Sequence, residues 1–153
     1  MKLLVINGPN LNLLGTREPD IYGSRTYAAL ARTARTAAAE AGVRLKMVQS
    51  NHEGKIVDII QKAAKKYDGI VINPAAYTHT SVAIYDALKA VGLPTVEVHL
   101  SDIESREAFR RHSYISPACI QTIAGKGFDG YRDAIGVLVA YCKNHAQRIS
   151  PHG

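Results

Sequence analysis

The sequence predicts an α/β fold, a parallel sheet wrapped by helices, and three observations carry that reading. Apolar runs of strand length alternate with helical patterns from one end of the chain to the other. The first run, Leu3 to Ile6, has the length and composition of a strand buried on both faces. No internal repeat, low-complexity stretch or linker interrupts the 153 residues, so residues 1–150 are expected to form one domain and residues 151–153 a frayed tail.

Taken in order, strands are expected at about Lys2 to Asn7, Arg44 to Ser50, Gly69 to Asn73, Thr95 to Leu100 and Cys119 to Ala124. The first expected helix, Ser24 to Ala41, is alanine-rich and ends at Gly42, a natural left-handed cap. Ile56 to Tyr67 carries Ile59, Ile60, Ala63 and Ala64 at helical spacing, with Gly69 closing it. Thr80 to Val91 places Val82, Tyr85 and Leu88 on one face and stops at Gly92 and Pro94; Ser81 is its candidate capping residue. Tyr131 to Gln147 turns Ala134, Ile135, Leu138, Val139 and Cys142 toward the sheet. Five strands alternating with helices make a doubly wound sheet, and the flavodoxin-like order 2-1-3-4-5 is the natural one. In such sheets a ligand sits beyond the carboxyl ends of the strands, where the strand order reverses.

The stretch from Asn7 to Gly23, N-G-P-N-L-N-L-L-G-T-R-E-P-D-I-Y-G, stands out. Gly8, Pro9, Gly15, Pro19 and Gly23 break regular structure, and a connection of about 17 residues is far longer than an α/β unit needs. Leu11, Leu13, Leu14 and Ile21 give the loop apolar side chains to pack, so it is expected to be ordered and to close over a ligand. Asn10, Asn12, Arg17, Glu18 and Tyr22 are left exposed. The third strand is followed by N-P-A-A-Y-T-H-T-S at Asn73 to Ser81, and the fourth ends in E-V-H-L-S at Glu97 to Ser101. Singly, each of these has a bland reading: asparagine beside glycine or proline as a turn residue, Tyr22 as a packed phenol, His99 as a core histidine. Together they gather the unusual polar residues at one sheet edge, which argues for a functional crevice.

Composition narrows its chemistry. The formal charge is +6, but the basic residues are scattered and not interleaved with aromatics, which favours small anions over nucleic acid. Cys119 and Cys142 are the only cysteines; each falls in an apolar stretch and is expected to be a buried, reduced thiol, as suits a cytoplasmic protein. The N-terminal apolar run is too short for a signal peptide, and no run approaches membrane-spanning length. The three loops hold no serine elbow, no cysteine beside a base, no metal cluster and no lysine for an imine. They hold a phenol, two imidazoles, a guanidinium and amides, which suit proton transfer. Tyr22 needs a cationic neighbour to act as a base near neutral pH, and Arg17 is the candidate. Glu97 and His99 lie two apart on one strand and so on one face, where the carboxylate can favour the protonated imidazole. A base and an acid on different loops fit an elimination.

The stretches Asn7 to Gly23 and Asn73 to Ser81, with S-N-H-E-G at Ser50 to Gly54, E-V-H-L-S at Glu97 to Ser101 and R-E-A-F-R-R-H-S at Arg106 to Ser113, resemble the type II 3-dehydroquinate dehydratases of the shikimate and quinate pathways. The resemblance covers nearly the whole chain. It implies a trans dehydration of 3-dehydroquinate to 3-dehydroshikimate through an enolate, without cofactor or metal. Tyr22 is then similar to the base at carbon 2, Arg17 to its assistant, and Asn10 to the residue holding a water against the enolate oxygen. His99 resembles the proton donor to the leaving hydroxyl, with Glu97 behind it. Asn73, His79, Asp86 and Arg110 match substrate contacts, and Leu100 and Ser101 match a carboxylate site. It further implies trimers grouped into a homododecamer, with Asp86 reaching an adjacent subunit's site. Asp102 and Gln121 depart from the pattern, where Asn and Gly are expected. The rival reading is a flavin- or nucleotide-binding carrier module, for which Asn7 to Gly15 offers too few hydroxyls to hold a phosphate.

Overall fold

The computed structural model describes residues 1–16, 18–22 and 24–149. Its five strands, β1 (Lys2–Asn7), β2 (Arg44–Gln49), β3 (Gly69–Asn73), β4 (Thr95–His99) and β5 (Gln121–Ala124), form one sheet in the order β2-β1-β3-β4-β5. Every pairing is parallel, with Leu3 beside both Leu45 and Gly69, and Ile72 beside Glu97. The expected doubly wound sheet is therefore the observed one.

Helices cover both faces. Period-two alternation sends Leu3, Val5, Val71, Val96 and Val98 to the face carrying α2 (Tyr27–Glu40) and α5 (Asp129–Ile149). It sends Leu4, Ile6, Ile70 and Ile72 to the face carrying α3 (Glu53–Ala63) and α4 (Val82–Val91). Ala31, Ala34, Ala37 and Ala38 are the buried side of α2, with Leu30, so small side chains let that helix lie close to the sheet. Thr26 caps α2 by accepting from the Ala29 N–H at 3.2 Å, which starts the helix later than Ser24. Among the described residues no helix is long and apolar enough to cross a membrane.

Several expectations shift. Helix α3 begins at Glu53 and ends at Ala63; its buried residues are Ile56, Ile60 and Ala63, while Ile59 is partly buried and Ala64 exposed. Gly69 does not close that helix but opens β3, where an added Cβ would lie 3.1 Å from the Leu138 side chain. Ser81 caps α4 as expected, accepting from Ile84 N–H at 3.0 Å, and this sets the helix phase so that Ile84, Ala87 and Leu88 face inward. Val82 is 51% exposed instead. Strand β5 starts two residues later than Cys119, because Ser116–Ala118 forms a 3-10 turn that Cys119 ends. Both cysteines are half-buried rather than buried.

The long loop is less irregular than its composition suggests. Leu11–Leu13 forms a 3-10 turn and Pro19–Tyr22 a single helical turn, α1, with Pro19 at its first position. Leu11 and Leu14 pack into the core, whereas Leu13 and Ile21 are exposed. The expected frayed tail at residues 151–153 lies outside the described residues.

Candidate active site

Strands β1, β3 and β4 end at the same edge, and a cleft of about 250 Å³ opens there. The loop after β1 supplies Pro9, Asn10 and Leu11 to its wall; the segment after β3 supplies Asn73, Ala75, Ala76 and His79. His99, Leu100, Ser101, Ile103, Arg106 and Arg110 complete it from β4 and the turns that follow. Seven of the sequence-predicted residues, Asn10, Asn73, His79, His99, Leu100, Ser101 and Arg110, thus line one cavity.

The backbone of this edge is tightly fixed. Gly8 N–H donates to Asn73 O at 2.8 Å, joining the loops after β1 and β3. Asn10 adopts a left-handed backbone (φ 68°) and its N–H donates to Asn51 Oδ1 at 3.1 Å. Gln49 Nε2 donates to Asn51 Oδ1, Gly8 O and Asn12 Oδ1 at 3.1, 3.2 and 3.3 Å. The segment after β2 is therefore a strut for the long loop, and Asn12 belongs to that strut. On the other side, Gly127 N–H and Gly125 N–H donate to Leu100 O and Ser101 O, while Arg106 Nη1 donates to Ser101 Oγ at 3.3 Å.

Glu97 is fully buried beneath His99, which is 5% exposed. Their nearest atoms, Glu97 Oε1 and His99 Nε2, are 3.5 Å apart. Ser113 Oγ donates to Glu97 Oε1 at 2.6 Å and Thr122 Oγ1 to Oε2 at 3.0 Å. Burial alone would push this carboxyl up, but the adjoining His99 imidazole, in contact without a well-aligned hydrogen bond, and the two hydroxyls outweigh it and hold it below the ordinary range. The ionised carboxylate thus lies directly under the imidazole. Ser113 is itself anchored by the N–H groups of Ile115 and Ser116 at 3.1 and 3.0 Å.

His79 behaves differently. Its Nδ1 lies 2.8 Å from His112 O, and a carbonyl only accepts, so Nδ1 carries the proton and Nε2 is the acceptor. Burial, opposed by that hydrogen bond and reinforced by His99 and Arg110, lowers its pKa from the usual histidine value, so the ring is neutral near pH 7. Arg110 Nε is 3.0 Å from Glu107 Oε2 yet is buried without a well-aligned hydrogen bond, so charge attraction rather than a directed bond holds it there. With Arg106, it gives the cleft two permanent cations, a field suited to an anionic ligand. Cys119, nearby, is pushed up to about 12 by burial and by the Glu97 charge and remains a thiol. Among the described residues no group of three His, Cys, Asp or Glu is arranged to hold a metal ion.

Three expected residues stand apart. Asp86 is exposed on α4 and does not line the cleft. Arg17 lies outside the described residues, as does the side chain of Tyr22, whose backbone ends α1. Conversely, Ser113, Thr122 and Arg106 support the site without having been marked by residue type or spacing. Ser113 and Arg106 do fall within the R-E-A-F-R-R-H-S stretch, the one signal that pointed to them.

Residues 1–139 match the family model described as Dehydroquinase class II. The chain belongs to the class II dehydroquinase family. Curated relatives of this family include a 3-dehydroquinate dehydratase of Clostridium acetobutylicum, 54% identical over 138 residues, which cover 90% of this chain and 96% of that protein. A catabolic 3-dehydroquinase of Verticillium alfalfae is 54% identical over 142 residues, covering 93% and 95%. Among solved structures, the type II dehydroquinase of Butyrivibrio crossotus superposes with a TM-score of 0.89 at 48% identity, covering 90% of this chain and 97% of that one. Membership of the class II dehydroquinases does not favour the flavin- or nucleotide-carrier reading of the flavodoxin-like sheet.

Proposed function

We infer that this chain is a hydro-lyase of the shikimate/quinate pathway that dehydrates 3-dehydroquinate to 3-dehydroshikimate. The observation that carries the chemistry is the pairing of a buried, hydroxyl-clamped carboxylate, Glu97, with an imidazole, His99, at the wall of a cationic cleft. Such a pair supplies a proton to a departing hydroxyl.

The roles follow the resemblance and the cleft. Leu100 and Ser101, partly through backbone N–H groups, receive the substrate carboxylate, while Asn73, the Nε2 acceptor of His79 and Arg110 contact the rest of the substrate. Tyr22, its phenolate favoured by Arg17, removes a proton from carbon 2. The electron pair moves into the adjacent carbonyl, and a water held by Asn10 stabilises the enolate oxygen. Collapse of the enolate forms the carbon–carbon double bond and expels the hydroxyl, which takes the proton of His99 and leaves as water. The tyrosine proton returns to the imidazole through solvent. Homo-oligomerisation in trimers grouped into a dodecamer belongs to the same proposal, with the exposed Asp86 of one subunit contributing to its neighbour's cleft. No cofactor, metal, nucleic acid or membrane takes part, and a cytoplasmic location accords with two unlinked thiols.

Purified chain treated with chelator is mixed with 3-dehydroquinate, and the ultraviolet absorbance of the conjugated product is followed. A rise at a rate unchanged by the chelator is expected. Absence of a rise from well-folded protein removes the substrate assignment, and a rise abolished by chelator removes the metal-free mechanism.

A further inference from the structure

We propose that Tyr131 is a positioning residue for the cleft, its hydroxyl holding the Asn73 amide in the orientation that the Ala75 N–H sets and hence fixing the hydrogen-bonding group Asn73 offers to substrate. The proposal deepens the function above and rests on it.

Tyr131 opens the buried side of α5, is 0% exposed, and reaches up between the ends of β1 and β3. Its hydroxyl is 2.6 Å from Asn7 Oδ1 and 3.0 Å from Asn73 Nδ2. Asn73 Oδ1 is 3.1 Å from Ala75 N, and Asn7 Nδ2 is 3.3 Å from the Tyr27 hydroxyl. Burial keeps both phenols protonated by pushing their pKa values up.

The direction of this chain of bonds is determined from one end. A backbone N–H only donates, so the Asn73 atom facing Ala75 must be the amide oxygen. The Asn73 nitrogen therefore faces Tyr131, whose oxygen accepts from it. Tyr131 has one proton, which goes to Asn7, so Asn7 presents its oxygen there and turns its nitrogen to Tyr27. These bonds fit together in one sense only, and a buried network so constrained specifies a single arrangement. Asn73 is left with one N–H not used by the protein. Since Asn73 lines the cleft, that N–H is a donor for a substrate hydroxyl or carboxylate.

The same bonds hold Ala75, also in the cleft wall, at φ 52°, a left-handed conformation that a residue with a side chain adopts only when its surroundings impose it. Without the Tyr131 hydroxyl, Asn73 keeps the Ala75 N–H as the one protein group that orients its amide. The amide then samples the flipped orientation, which puts an acceptor where the donor was.

Tyr131→Phe keeps the buried ring and deletes only the hydroxyl. Relative to the parent, KM for 3-dehydroquinate is expected to rise about tenfold, the scale of one misdirected hydrogen bond, with kcat changed by less than about threefold. Asn73→Ala is expected to raise KM similarly, and the double variant Tyr131→Phe/Asn73→Ala no further, because the two act through one bond. A lowered Tm with KM unmoved, or additive KM effects, would show a role in folding alone and overturn the proposal. Where Tyr131→Phe yields no folded protein, Asn7→Ala replaces it: with its acceptor gone, the hydroxyl is no longer held in place to accept from Asn73, and the amide loses the same anchor. The same rise in KM is expected, and an unmoved KM overturns the proposal equally. The parent chain is assayed alongside, so a parent without turnover removes the function itself together with this role, whereas a fully active parent with a variant of parental KM removes Tyr131 alone.

Discussion

Replacing His99 by alanine lowers kcat on 3-dehydroquinate by about 10²–10⁴-fold, the usual contribution of a general acid, while KM stays within about tenfold. The size of the loss follows from the neighbours' inability to replace the proton. His79 is held neutral, with its one N–H committed to His112 O at 2.8 Å. Arg106 and Arg110 do not release protons near neutral pH. Glu97 is ionised, fully buried and clamped by Ser113 and Thr122, and it sits beneath His99 rather than at the cleft surface. Steady-state kinetics with a circular-dichroism check of folding measures the effect. A kcat within about fivefold of the parent would remove His99 as the acid.

The second large effect is on the scaffold. Gly8→Ala places a Cβ 2.3 Å from Pro74 O and 2.6 Å from Pro74 C. These are backbone atoms of the segment that carries Ala75, Ala76 and His79, so no side-chain rotation relieves the clash. The loop after β1 must lift away from β3, which breaks the 2.8 Å bond from Gly8 N–H to Asn73 O. A stability loss near the upper end of about 1–3 kcal/mol is expected, which for a domain of this size lowers Tm by about 6–12 °C. Because Asn10 and Asn73 move relative to one another, kcat/KM of whatever folds falls by about a hundredfold. Thermal denaturation followed by circular dichroism reads the first effect; a Tm within about 2 °C of the parent would mean that the two loops part freely.

What was legible in the chain and what was not divides along the range of the interactions. Strands β1 and β3 begin and end where their apolar runs do, and the strand order follows from the alternation of elements, because parallel strands with short crossovers have few alternative arrangements. Helix phases were harder. In α3 and α4 the buried face depends on where the first turn is nucleated. At α4 that is decided by the Ser81 hydroxyl, and a shift of a residue or two exchanges Val82 for Ile84 as a core residue. The grouping of Asn10, Asn73, His79 and His99 at one edge was readable because strand polarity alone puts them there. The partners that tune them were not. Thr122 comes from β5, Ser113 from the turns before it and Tyr131 from the last helix, and only the folded sheet brings them to Glu97 and Asn73. A tyrosine on the inward face of α5 carried a faint signal, since a buried phenol needs a hydrogen-bond partner. Asp86 gave none, because its helix face points away from the cleft of its own chain.

The most direct test of the proton-transfer mechanism is to incubate the chain with 3-dehydroquinate and borohydride, remove the reagents, and compare turnover and intact mass with an untreated sample. An enolate formed by Tyr22 and resolved by His99 leaves no carbon–nitrogen double bond to reduce, so full activity and an unchanged mass are expected. Inactivation that requires substrate, with a mass increase matching a reduced adduct on a lysine, would contradict it and assign the chemistry to a covalent imine.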